Sequence, residues 1–113
     1  MKREARLYLQ DIVDSITKIQ KYTANMTYEE FEEREMVIDA VIRNLEIIGE
    51  ATAQLPFDIK EMYPDTPWYQ MKGMRNIIAH EYFGVRLATI WETICVDLPK
   101  VLPQIKTILS ELE

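Results

Sequence analysis

Apolar residues recur every three or four positions along almost all of this 113-residue chain, a spacing that suits helices and little else. Ala5, Leu9, Ile12, Val13, Ile16, Ile19 and Thr23 form one stripe, with Asp11, Asp14 and Lys18 turned away from it, so residues 3 to 24 read as an amphipathic helix. In MTYEEF, Thr27 and Glu30 stand in the reciprocal spacing of a capping box and predict a second helix start. Its row of Phe31, Ile38, Val41, Leu45, Ile48 and Leu55 continues to Pro56, about 28 residues or roughly 40 Å at the rise of an α-helix. From Pro56 to Thr66 the chain reads as a loop with at most one helical turn around Asp58 to Met62. TPW then places a cap at Thr66 and a proline in the first helical position, opening a third helix that ends near Gly84. A last helix runs from about Leu87 to Leu112, with Trp91, Ile94, Leu98, Ile105 and Leu109 inward, and Pro99 and Pro103 kinking or interrupting it. With no strand pattern or repeat, residues 1–113 are expected to form a single all-α domain, an antiparallel bundle of four to five helices.

Composition bounds the function. Hydrophobic residues at 48% and charged residues at 28% can support a core and argue against disorder. No segment approaches the ~18 unbroken apolar residues of a membrane span, and MKREARLYLQD has no apolar signal region, so a cytoplasmic protein without membrane association is expected. The single cysteine, Cys95, excludes an intrachain disulfide, and its apolar neighbours predict a buried thiol. A net charge of -6 has the wrong sign for holding nucleic acid over a broad surface, so any site for phosphate must be local.

One stretch, GMRNIIAHEYFGV, brings Arg75, Asn76, His80 and Tyr82 together, and His80 is the chain's single histidine. At about 100° per residue these side chains wrap one corner of a helix end. An arginine there could not be buried alone without large cost, so the corner should line a cleft or meet a partner. The set suits phosphodiester cleavage without metal. Histidine can hold or release a proton near neutrality, and Arg75 can place a planar fork against phosphorane oxygens. A helix C-terminus and Glu81 favour the protonated imidazole and bias His80 toward the acid role, which leaves the general base unassigned. Two-histidine chemistry would need two chains, as in a twofold homodimer. The plainer alternative makes Arg75 and His80 a hydrogen-bonded pair closing a helix end, with the Tyr82 ring packed and its hydroxyl wet. Arg43, Asn44, Lys72 and Arg86 are further candidates for lining a cleft, with a solvated flank as the alternative for the first two. Glu46 and Glu50 lack the Glu-x-x-His pairs of a carboxylate metal bundle, so neither metal nor cofactor is expected. Trp68, Trp91, Met71 and Met74 fit a core or dimer interface better than base stacking.

The arginine, four residues, histidine, one residue, tyrosine pattern resembles the motif of HepT-like ribonuclease toxins of the HEPN superfamily. AVIRNLEIIGEA, YPDTPWYQMKGMRNIIAHEYFGV and TIWETICVDLPKVLPQI extend that likeness from about Asp39 to the C-terminus, whereas the first 38 residues share only helical character. The resemblance implies a HEPN-like homodimer with two motifs in a shared cleft, cleaving RNA without metal through Arg75 and His80, with Asn76 supporting. It also implies a cognate minimal nucleotidyltransferase antitoxin, MntA-like, that transfers AMP to Tyr82. The alternative is a noncatalytic HEPN module that binds a nucleotide or a partner.

Overall fold

The structure is a computed structural model describing residues 2–76 and 87–112. Helix α1 spans Lys2–Tyr22, and its predicted stripe is buried from Ala5 through Ile19. It closes where Thr23 donates both its N–H and its hydroxyl to the Ile19 carbonyl, and the chain turns through Asn25 at φ 60°. Asparagine tolerates this left-handed conformation better than most residues. The capping box then forms as predicted. Glu30 N–H donates to Thr27 Oγ1 at 3.1 Å, and Thr27 N–H donates to Glu30 Oε1 at 2.9 Å. The hydrogen bond from the Thr27 backbone, foremost, holds the Glu30 carboxyl below its usual range.

The expected 28-residue helix is two helices: α2, Tyr28–Glu32, and α3, Glu35–Gln54. Glu33 is still helical, but Arg34 at φ -104°, ψ 80° is not. In an unbroken helix the positions three and four after buried Phe31 would be Arg34 and Glu35, both exposed here. The break frees α2 to follow a different neighbour. Phe31 stacks on Trp91 with ring centroids 5.0 Å apart, and Tyr28 lies 6.2 Å from the same indole. Helix α3 buries Val41, Leu45 and Ile48, and its packing against α1 is the most extensive contact between elements.

Where at most one helical turn was expected around Asp58 to Met62, α4 runs from Phe57 to Met62 and buries Ile59. The link that follows is tied down: Tyr63 donates its hydroxyl to Glu111 at 2.6 Å, Trp68 donates its indole N–H to the Tyr63 carbonyl at 2.9 Å, and Gln104 donates to Asp65 O at 3.3 Å. Helix α5, Trp68–Gly73, starts one residue later than predicted. Pro67, at ψ 66°, occupies the cap position, and the Trp68 N–H meets the Thr66 carbonyl instead of the threonine hydroxyl. The predicted end of this helix near Gly84 lies outside the described residues.

Helix α6, Leu87–Glu92, passes through a π-helical turn, Thr93–Asp97, into α7, Leu98–Glu111. Leu98 N–H reaches back five residues to Thr93 O. Pro99 has no N–H to close an ordinary turn onto Cys95, and the wider turn sits immediately before it. The prolines therefore widen the predicted last helix without ending it, and Pro103 sits inside α7. The widening also corrects the expectation for Cys95. Ile94 and Leu98 take the inward positions, leaving Cys95 and Val96 exposed. Among the described residues the fold is helical throughout, the all-α bundle that the resemblance implies, and no helix is long and apolar enough to cross a membrane.

Candidate active site

Helix α3 and the turn after α5 meet at backbone contact. Gly49 is buried, and a Cβ added to it would stand 2.5 Å from the Arg75 backbone nitrogen, 2.6 Å from Arg75 Cβ and 3.0 Å from Arg75 Cα. Glycine within a helix costs about 0.5–1 kcal/mol relative to alanine. Gly49 has no positive φ, so space rather than backbone freedom is what the residue supplies. From below, buried Met71 and Met74 seat the end of α5, and Met74 N–H closes a tight turn onto Met71 O at 3.1 Å. Arg75 and Asn76 follow directly.

Arg75 Nη1 donates to Glu50 Oε1 at 3.2 Å. The Arg75 side chain is 34% exposed and that of Glu50 57%, so water screens the pair. Its contribution to stability is about 0–1 kcal/mol, in line with other surface ion pairs. A guanidinium has five N–H donors in a rigid fork. Among the described residues, Glu50 takes one of them.

Beside Arg75 lies a concavity of about 210 Å³ lined by Tyr69, Gln70, Lys72, Gly73 and Asn76. Lys72 and Asn76 are exposed, and Tyr69 is 87% exposed. Lys60, from α4, has its ammonium held below the usual lysine range, by burial first and by repulsion from Lys72 second. Lys72 and Arg75 bring two positive charges to this concavity on a chain of net charge -6.

The other candidates separate. Arg43 is exposed on α3 and pairs with Glu46 at 2.7 Å. It lines a second hollow of about 230 Å³ whose wall includes Glu50, so it neighbours the partner of Arg75. Asn44 is 6% exposed and donates Nδ2 to the Ala40 carbonyl at 2.9 Å, which places it in the packing of α3. His80, Tyr82 and Arg86 lie outside the described residues. Trp68, Trp91, Met71 and Met74 belong to the core or pack against it. Sequence reasoning missed Gly49 and Glu50 as neighbours of the corner. A glycine inside a strongly periodic helix was the available signal for the first.

Comparison with known proteins covers nearly the whole chain. The family model described as Ribonuclease HepT-like matches residues 12–108. "Putative RNase MJ1216" of Methanocaldococcus jannaschii is 39% identical over 112 residues, 99% of this chain and 93% of that protein. "Putative RNase MJ0125" of the same organism is 40% identical over 112 residues, 99% and 97% of the two chains. "Probable ribonuclease HepT" of Thermococcus cleftensis is 41% identical over 101 residues, 89% of this chain and 92% of that one. No solved structure matches the chain.

Proposed function

The chain belongs to the HepT-like ribonuclease family, and from that premise we propose that it is a metal-independent endoribonuclease toxin working through Arg75 and His80 in a homodimer cleft. The observation that carries the proposal is the partly exposed guanidinium of Arg75, held at the edge of a concavity with Lys72 and Asn76.

In this reading the RNA phosphate is received by the free edge of Arg75, with Lys72 adding attraction. The ribose 2′-oxygen loses its proton to a base and attacks the adjacent phosphorus. The P–O5′ bond breaks, and the imidazolium of His80 gives its proton to the departing 5′-oxygen, leaving a cyclic 2′,3′-phosphate and a 5′-hydroxyl. Arg75 stabilises the charge that gathers on the phosphorane oxygens between these events. A second His80 across a twofold axis supplies a residue of the right type for the base. Asn76 supports the site by hydrogen bonding, and Arg43 and Arg86 extend the cleft's positive charge.

Regulation follows from the same corner. The partner is a minimal nucleotidyltransferase antitoxin, and AMP attached to Tyr82 places bulk and negative charge where the RNA phosphate must sit. The test is cleavage of RNA in EDTA. Wild-type protein cleaves, and His80→Ala loses about 10²–10⁴-fold in rate while remaining dimeric, the range typical for an acid–base group. Undiminished cleavage by that variant rejects the mechanism, and ATP binding without cleavage by the wild type favours the noncatalytic module.

A further inference from the structure

Arg75 is gripped by two consecutive residues of α3. At Gly49 the two backbones touch, and the atoms that an added Cβ would strike include the nitrogen and Cα of Arg75, which cannot swing aside as a flexible side chain can. At Glu50 the carboxylate takes one guanidinium N–H at 3.2 Å. The first contact fixes where the residue's backbone lies, and the second selects the direction of its side chain. Glu46, one helical turn earlier, is already held by Arg43 at 2.7 Å, so Glu50 is the α3 carboxylate bonded to Arg75.

We infer that Gly49 and Glu50 form a clamp that positions Arg75, with Glu50 aiming the free edge of the guanidinium at the scissile phosphate. The inference rests on the ribonuclease reading above. Glu50 touches no reacting atom and is a positioning residue. The ion pair is too exposed to matter much to stability, so its effect falls on the orientation of Arg75. A carboxylate beside the phosphate site also repels the substrate. Its presence is consistent with a role that costs some binding and improves alignment.

Two measurements on one set of variants decide the matter. In RNA cleavage, Glu50→Ala lowers kcat about threefold with KM unchanged or lower, the scale on which an exposed ion pair can bias the orientation of Arg75. Glu50→Gln, whose amide oxygen still accepts the Arg75 N–H, recovers most of that loss. Gly49→Ala costs up to about 100-fold because the turn itself must move; if it fails to fold, the Glu50 variants carry the decision. Independently of activity, phenylglyoxal labels Arg75 about threefold faster in Glu50→Ala, the change expected when an exposed ion pair is lost, while labelling of Arg43 is unchanged. Wild-type kcat in Glu50→Ala overturns the positioning role and leaves the ribonuclease reading standing. An unchanged labelling rate at Arg75 overturns the clamp. If the wild type cleaves no RNA, the ribonuclease reading fails, and the labelling result still decides whether the clamp exists.

Discussion

Helix α3 treats two of its neighbours differently. Its packing against α1 is the most extensive in the fold and its Val41, Leu45 and Ile48 are buried in the core, whereas against the Arg75 turn it offers a bare glycine and an exposed carboxylate. The α1 seam removes apolar area from water and so holds the fold together. The Arg75 junction removes little, but it fixes a position more tightly than rotamers allow. Stability and placement are therefore separable along one helix, between Leu45 and Glu50 five positions on.

That separation can be broken from the strong end first. Leu45 is fully buried, and Leu45→Ala should lower unfolding free energy by about 2–5 kcal/mol, read from the urea midpoint. A loss below about 1 kcal/mol would mean that the seam is not where stability resides. Next in size is the capping box. Thr27→Ala should cost about 1 kcal/mol at neutral pH. The effect should depend on pH: the folded-state pKa of Glu30 is lowered, so its contribution is present above the ordinary glutamate range and is lost as pH falls through and below it. Urea midpoints of wild type and Glu30→Gln should converge on acidification, and parallel curves would show that the Glu30 carboxylate takes no part. Smallest should be Arg43→Ala, within about 0.5 kcal/mol, because its pair with Glu46 is a surface i,i+3 contact. A larger loss would mean that ion pairs on α3 hold the fold as well as aim side chains.

What the sequence displayed depended on range. The stripe of α1 and the capping box at Thr27 are carried by residues within a turn or two of each other, and both were legible. The break at Arg34 was also written locally, in the polar Arg34 and Glu35 that follow Phe31, but the apolar row on either side masked it. Pro99 announced a disturbance without saying that the helix would widen rather than stop, and Cys95 was misjudged because neighbours in sequence are not neighbours in space across a π turn. At the candidate site, Arg75 was singled out by its spacing to His80, and Asn76 by the resemblance. Glu50 was not, since 25 residues separate it from Arg75 and only tertiary packing joins them. The placement of His80, Tyr82 and Arg86 lies outside the described residues.

Backbone contact at Gly49 makes the Arg75 turn a passenger on α3. Whatever tilts or slides that helix carries the guanidinium with it, since no side chain between them can yield. Events elsewhere along the helix, near Arg43 or against α1, thus have a mechanical route to Arg75.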